Sequence, residues 1–322
     1  MEKNNDLKLE RKFIGSILGS VIGDALGARF EGHSHHNFPD IYLNSLFNDP
    51  DLIVGKYTDD SQMMKGILES LIKNKGFNES DMAFTFVRNF DISRGYGIGT
   101  IRVLEAIRSG ADWKEVAKNS FGGQGSLGNG AAMRVCPIGL LYNFDILKVS
   151  KIAAKTALIT HKHPLGIEGA VLQAQAVTLA LKEDVDDFNS QAFLQKLIEL
   201  GHTSTYENKL SRIAGFLEAI PNDFEVIKEL GNKITALESV PTAIYVFLKN
   251  YKSGYERTII DAIKLGGDTD TIACMTGAIA GAFHSIDKLP KNFVETVEEK
   301  DIFIKSAQQL FLLSKALVNK RS

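Results

Sequence analysis

Two short acidic runs, Thr58-Asp59-Asp60 and Asp268-Thr269-Asp270-Thr271, stand near opposite ends of a chain of 322 residues. Carboxylates with neighbouring hydroxyls suit hard divalent cations. Mg²⁺ and Ca²⁺ take oxygen ligands, and Mg²⁺ typically uses a few carboxylates while keeping water that a substrate can displace. Each run follows a turn-like stretch, Tyr57 before one and Gly266-Gly267 before the other, and each opens an apolar, helix-like segment. Thr and Asp are also good helix N-caps, and acidic residues suit the positive end of a helix. Either run alone is accounted for as a cap; the recurrence of the same chemistry raises a second reading, a shared metal site. Glu31 is a third carboxylate of interest. It closes a helix-like run in Ala28-Arg29-Phe30-Glu31-Gly32, where its charge opposes the helix dipole. On a flexible segment beside a metal pocket it could serve as acid or base; otherwise it is a plain exposed glutamate.

Two glycine-rich loops lie between the acidic runs. One is Arg94-Gly95-Tyr96-Gly97-Ile98-Gly99. The other, Phe121 to Gly130, leads into Ala131-Ala132-Met133-Arg134, which reads as a helix start. Glycine-rich backbone ahead of a helix can present N–H groups to phosphate oxygens. Neither loop is a P-loop, because no Gly-Lys-Ser/Thr follows, and neither is a dinucleotide fingerprint, because no strand precedes. On their own they read as long turns; beside a metal site, diphosphate binding becomes attractive. His161 and His163 flank Lys162 in a loop expected to hold one buried and one exposed histidine. His33, His35 and His36 read as solvated surface, with no Cys companion to suggest zinc. No Gly-x-Ser-x-Gly element and no evident catalytic Cys-His pair is present.

Helical periodicity dominates the elements that must bring these groups together. Phe13, Ile14, Ile17, Leu18, Val21, Ile22 and Leu26 share one helical pattern. Gly15, Gly19, Gly23 and Gly27 fall every fourth residue along it, and Gly277 and Gly281 repeat the device in the run 272–283. Such a strip costs helix propensity but lets another backbone approach closely, so these two helices are expected to touch. Further helices are predicted at 61–74, 79–90, 99–109, 147–159, 165–182, 189–200, 206–219, 223–231, 239–251, 254–265 and 301–318. No period-two alternation stands out, no Pro/Ser linker divides the seven prolines, and no fixed repeat suggests a solenoid. The expectation is an all-α, single compact orthogonal helical domain over 1–322, with its core at about 11–318.

Composition narrows the function classes. Hydrophobic content of 44% and charged content of 24% are ordinary for a globular protein. A net charge of −2 supplies no basic field for nucleic acid or anionic membrane, so a phosphate-bearing ligand must be held locally. Cys136 and Cys274 have no CxxC neighbours and read as buried free thiols of a reducing compartment. Arg11-Lys12 before the apolar run 13–22 imitates a secretory signal, but Asp24 interrupts it, acids as well as bases precede it, and the run reads as too short for a membrane span. The expected location is cytoplasmic, or nuclear for a eukaryotic source, and the chain is expected to be a monomer.

Four segments together resemble the ADP-ribosylglycohydrolase family. They are Gly23-Asp24-Ala25-Leu26-Gly27 with Glu31; Tyr57-Thr58-Asp59-Asp60; Gly128-Asn129-Gly130-Ala131-Ala132-Met133-Arg134; and Leu265-Gly266-Gly267-Asp268-Thr269-Asp270-Thr271-Ile272-Ala273. Their order and separation fit the family. Arg94-Gly95-Tyr96-Gly97, Gly125-Ser126 and the stretch 229–245 are similar to the branch acting on ADP-ribosyl-serine, poly(ADP-ribose) and O-acetyl-ADP-ribose. The resemblance implies a two-Mg²⁺ centre, with Mn²⁺ as an alternative, and hydrolysis at C1″ of the distal ribose. It assigns Thr58, Asp59, Asp60, Asp268, Asp270 and Thr271 as metal ligands, with Asp270 the expected bridge. Glu31, Asp59, Asp60 and Asp270 become the catalytic set, Glu31 as the glutamate of a mobile loop. Asp59, Gln124, Gly125, Ser126, Leu127, Gly128, Asn129, Gly130, His161 and Ile234 become pocket positions, and Phe121 an aromatic near adenine. The implied partners are ADP-ribose-modified proteins, the polymer or O-acetyl-ADP-ribose.

Two positions depart from that branch. Leu127 stands where a tyrosine stacks on adenine, and Gln124 where a lysine is expected; a lost stack is worth roughly 1–3 kcal/mol. Three other readings stay open: an ADP-ribosyl-arginine hydrolase, a catalytically silent ADP-ribose-binding protein, and a metal-dependent phosphohydrolase that would release AMP.

Overall fold

The computed structural model describes residues 2–34, 40–49 and 51–320. Among them the backbone forms seventeen α-helices. In chain order they are α1 (Glu2–Gly27), α2 (Asp40–Phe47), α3 (Asp59–Asn74), α4 (Glu79–Asn89), α5 (Ile98–Arg108), α6 (Trp113–Val116), α7 (Cys136–Leu141), α8 (Ile146–Ala157) and α9 (Pro164–Lys182). They continue with α10 (Ser190–Glu199), α11 (Ser204–Ala219), α12 (Asp223–Glu229), α13 (Ala236–Asn250), α14 (Tyr255–Lys264), α15 (Thr269–His284), α16 (Lys291–Thr296) and α17 (Lys300–Asn319). No strand occurs among the described residues, only three isolated bridges. The all-α expectation therefore holds, and one continuous apolar core runs from Phe13 to Phe311.

The centre of that core is the pairing of α1 with α15. Every residue of α15 is buried. A Cβ added to Gly15, Gly19, Gly23 or Gly27 would stand 2.2–2.5 Å from the backbone oxygen of Gly281, Gly277, Ala273 or Thr269. Cβ atoms added to Gly277 and Gly281 would meet the carbonyls of Gly19 and Gly15 in return. The two glycine strips thus press helix backbone against helix backbone, as their spacing predicts. The cost of glycine in a helix, about 0.5–1 kcal/mol each, is offset by dispersion contacts that a larger residue would exclude. The functional result is positional: the end of α1 arrives beside the start of α15.

Helix α17 closes the other side. Phe311 meets Phe13 edge-on at 5.6 Å, and Phe303 meets Tyr57 at 5.7 Å. The Tyr57 hydroxyl donates to Glu299 at 2.7 Å, and Arg94 pairs with Glu298 while lying 4.2 Å over the Tyr57 ring. The first glycine loop is therefore clamped onto the segment that enters α3.

Several sequence expectations are corrected. Ala131–Arg134 is a run of turns, and the helix begins only at Cys136. Pro137 at the start of α7 explains this, since proline suits a first turn, where its missing N–H is harmless. Helices α2, α6, α7 and α16 are too short for their periodicity to show. Helix α1 begins well before Phe13; Asn4–Phe30 and Pro164–Lys182 are long and apolar enough to cross a membrane by length and composition, where the sequence suggested too short a run, yet both are mostly buried inside the fold. Cys136 and Cys274 are buried free thiols, as expected.

Candidate active site

The N-terminus of α3 is set by Asp24, an isolated carboxylate on the buried face of α1. Asp24 accepts from the Thr58 N–H (3.0 Å), the Thr58 hydroxyl (2.8 Å), the Ser61 N–H (3.0 Å) and the Ser61 hydroxyl (2.5 Å). Thr58 is the N-cap of α3, its Oγ1 accepting from the Asp60 N–H at 3.3 Å. With Thr58 occupied in this way, Asp59 and Asp60 project from the first turn without capping it themselves. The sequence marks Asp24 as an interruption of an apolar run and as part of a segment shared with the family, without giving it a role. A lone Asp within a buried helical pattern was the available signal.

The second acidic run is presented differently. Asp268 is the N-cap of α15 but makes no capping hydrogen bond. Its carboxylate accepts instead from the side-chain amide of Asn129 at 2.5 Å, and Asp270 accepts from the Thr271 N–H at 2.8 Å. The cap reading thus describes Thr58 and fails for Asp268. The turn before Asp268 is dense: Gly266 and Gly267 both have positive φ, and a Cβ on Gly267 would stand 2.1 Å from the Asn232 carbonyl. Asn232 also accepts from the Asp268 N–H and donates to the Leu265 carbonyl.

Glu31 joins the cluster through this turn. The Gly32 N–H donates to the Gly267 carbonyl at 2.8 Å, and the Gly267 N–H to the His33 carbonyl at 2.9 Å. Two backbone hydrogen bonds thus join the segment just after Glu31 to Gly267. His33 is exposed, and His35 and His36 lie outside the described residues. Carboxylate oxygens of Glu31, Asp268 and Asp270 approach within 4.8 Å of one another, while Thr271 Oγ1 donates to Asp60 Oδ1 at 3.4 Å. Acids from both ends of the chain therefore meet.

Among the described residues, no Lys or Arg forms an ion pair with any of these carboxylates, and Asp60 Oδ2 is buried without a partner. The electrostatic consequence is uniform. Burial, then repulsion from Asp24, pushes Asp59 up to about 8. Burial and the neighbouring acids hold Asp60 and Asp270 well above the usual carboxylate range. Burial raises Asp268, and burial with the Asp268 charge raises Glu31. Asp24 is pushed to about 6 by burial, against its hydrogen bonds from Ser61 and Thr58. Such a group is stable either protonated or with a cation supplied from outside. Oxygen donors, an unpartnered buried oxygen and missing countercharge together fit a hard divalent metal.

The acids open into one cavity with the second glycine loop. It is lined by Glu31, Asp59, Asp60, Asp268, Asp270 and Thr271 on one side, and by Phe121, Ser126, Gly128, Asn129, Gly130, His161 and Ile234 on the other. Residues of the first loop, Gly95, Gly97, Ile98, Gly99 and Thr100, and also Met133, complete the wall; they were not singled out as site residues in the sequence. Four expected positions do not line it: Thr58, which faces Asp24; Gly125, packed against Lys162 and His163; and the exposed Gln124 and Leu127. The second loop is fixed by pairing with 234–236, through Asn129 N–H to the Ile234 carbonyl and Ala236 N–H to the Leu127 carbonyl. Three amides that the sequence offered to phosphate are engaged, one by this pairing and two locally: Asn129 donates to Ile234, Gly125 to Ser120 and Gly128 to the Ser126 hydroxyl. The amides of Ser126, Leu127 and Gly130 donate to no protein group among the described residues. Phe121 holds a left-handed backbone (φ 52°) and sets its ring over Gly99, where a Cβ would come within 2.8 Å.

Comparison with known proteins agrees with this arrangement. The family model described as ADP-ribosylglycohydrolase matches residues 5–320. The chain is 37% identical to the human protein named ADP-ribosylhydrolase ARH3, with 93% of each chain covered. It is 40% identical to the Xenopus tropicalis protein of the same name, covering 89% of this chain and 91% of that one. Among solved structures, one titled ADP-ribosylglycohydrolase-related protein complex superposes with a TM-score of 0.73 at 25% identity, covering 95% of this chain and 99% of that one.

Proposed function

Because the chain belongs to the ADP-ribosylglycohydrolase family and is a hydrolase, we propose that it cleaves the C1″ glycosidic bond of O-linked ADP-ribose conjugates in a Mg²⁺-dependent reaction. ADP-ribosyl-serine, poly(ADP-ribose) and O-acetyl-ADP-ribose are the substrate set. The observation that carries this reading is the two-ended cavity: uncompensated carboxylates at one end, a glycine loop with amide, hydroxyl and imidazole donors at the other. A ligand with a polyol at one end and a diphosphate beyond it matches both ends. At about 250 Å³ the cavity is smaller than the ~300 Å³ at the low end for small-molecule sites. It therefore takes the ribose and diphosphate, leaving the base at the rim, where Phe121 is 55% exposed. Phe121 and Gly99 also line a neighbouring cavity of about 540 Å³ with Arg102 and Asn119.

Asp59, Asp60, Asp268, Asp270 and Thr271, which line the acidic end, would hold Mg²⁺, or Mn²⁺ in its place, whereas the Thr58 hydroxyl is engaged by Asp24 and the Asp60 N–H. The bound cation supplies the positive charge these acids lack and a ligand for ribose hydroxyls. The remaining chemistry belongs to side chains. Glu31 lines the cavity beside the acids, its pKa raised by burial and by the Asp268 charge, a position that suits proton donation to the leaving oxygen. A water oxygen then bonds to C1″ as the C1″–O bond to the conjugate breaks, and the water's proton passes to a carboxylate of the cluster. Asn129, held by Asp268 and Ser239, fixes the loop against the acids.

The test is product analysis by mass spectrometry after incubation with serine-linked, arginine-linked and polymeric ADP-ribose, with and without Mg²⁺. Free ADP-ribose from the O-linked substrates, only with Mg²⁺, is expected. Release from the arginine linkage alone, appearance of AMP, or binding without turnover would each replace this reading by a different one.

A further inference from the structure

Arg134 is fully buried, yet among the described residues it pairs with no carboxylate. Its guanidinium lies 4.6 Å over the Phe86 ring and donates to Met63 Sδ, to the Thr156 carbonyl at 3.0 Å and to Thr160 Oγ1 at 2.8 Å. A buried, unpaired cation is costly, so its placement asks for a purpose. Thr160, only 2% exposed, makes one further side-chain contact: Oγ1 lies 2.7 Å from His161 Nδ1.

The proton count along this chain has one fully satisfied solution. Arginine only donates, so Thr160 Oγ1 accepts from Arg134. If Nδ1 also donated to Thr160, the buried threonine hydrogen would have no acceptor, and an N–H dipole would point toward the arginine charge. If Thr160 donates to Nδ1, every group is used, and the imidazole proton sits on Nε2. That nitrogen has no hydrogen-bond partner among the described residues, and His161 lines the cavity beneath the glycine loop. A Cβ on Gly130 would lie 3.2 Å from Nε2, so glycine there leaves the ring its place. Burial and the Arg134 charge also keep the ring neutral, with its pKa lowered to about 3.

We propose that Arg134 and Thr160 are positioning residues that hold His161, a pocket position the family resemblance already assigns, as the Nε2–H tautomer, so that a neutral N–H donor faces the cavity. That this donor serves ADP-ribose rests on the function proposed above; the tautomer does not. Three of the loop amides are already engaged, so a side-chain donor on the glycine side makes up the shortfall.

The test uses full-length protein labelled with ¹⁵N-histidine, with the His161 signals assigned by loss in His161→Gln. The wild type should show a protonated Nε2 and an unprotonated Nδ1 across pH 6–8. Thr160→Val should lose that uniform tautomer, and Thr160→Ser should restore it. Isothermal titration with ADP-ribose should show about tenfold weaker binding for Thr160→Val, near-wild-type binding for Thr160→Ser, and unchanged Mg²⁺ binding for both. A protonated Nδ1 in the wild type would overturn the tautomer assignment. ADP-ribose affinity unchanged in Thr160→Val would overturn the donor role. Absence of ADP-ribose binding by the wild type would remove the proposed function together with the donor role, and the tautomer would still be decided by the spectrum.

Discussion

The hydroxyl of Thr269 donates to the Gly27 carbonyl at 2.8 Å, and a Cβ on Gly27 would stand 2.4 Å from the Thr269 carbonyl oxygen. The last turn of α1 and the first turn of α15 are thus in backbone contact. Glu31 leaves from one, and Asp268 and Asp270 sit on the other. The spacing of the site is set by the absence of a methyl group.

Gly27→Ala should therefore damage both stability and the site. Overpacking of a tight core costs typically 1–3 kcal/mol, and a rigid backbone neighbour cannot yield as a side chain would. Denaturant unfolding should show that loss, and titration should show weaker Mg²⁺ binding. Gly215→Ala, on α11 with nothing within 4 Å of its Cβ, is the control; it should be neutral or stabilising by up to about 1 kcal/mol.

Asp24→Asn should disorganise the start of α3. The carboxylate accepts from four donors on Thr58 and Ser61. An amide offers one oxygen and turns two N–H groups toward groups that also donate. Buried donors left unsatisfied cost about 1–3 kcal/mol. Unfolding should register that loss, and Mg²⁺ affinity should fall although Asp24 is not among the proposed ligands. Wild-type stability and affinity in Asp24→Asn would remove its role.

The metal-free protein should become less stable as pH rises from about 6 to 8. Asp24 and Asp59 are raised to about 6 and about 8, and Asp60 and Asp270 well above the usual range. The folded state therefore holds protons that the unfolded chain has already released near its ordinary carboxylate range. Stability linked to these groups is full at low pH and is lost as pH climbs through the folded values. Melting temperature after chelation should fall across that window. Added Mg²⁺ should raise it, most at pH 8, because metal replaces protons on the same oxygens.

Much of this was readable in the sequence because it is local or periodic. Helix α3 was predicted at 61–74 and runs Asp59–Asn74, and the four-residue glycine spacing on α1 and α15 forecast their contact. What stayed hidden acts across the chain. Asp24 reaches Thr58 and Ser61, and Arg134 reaches Thr160, through hydrogen bonds that no repeat encodes. The pairing of Gly32 with Gly267 likewise joins segments more than two hundred residues apart. The Asn129 amide is taken by residues 234–236 folding back onto the loop, which local composition does not reveal.

Glu31→Gln should separate binding from turnover. The amide keeps the shape of the side chain but cannot exchange a proton. ADP-ribose affinity should stay near wild type, while turnover of a serine-linked ADP-ribosyl peptide should fall about 10²–10⁴-fold, as for loss of a general acid or base. Undiminished release of ADP-ribose would remove Glu31 from the chemistry.

The convergence of acids from both ends on a divalent cation is tested most directly by calorimetric titration of Mg²⁺ into the metal-stripped wild type, Asp60→Asn and Asp270→Asn. Binding by the wild type, severely weakened by either substitution alone, is the predicted result. Undiminished Mg²⁺ binding in both variants, or no binding by the folded wild type, would contradict it.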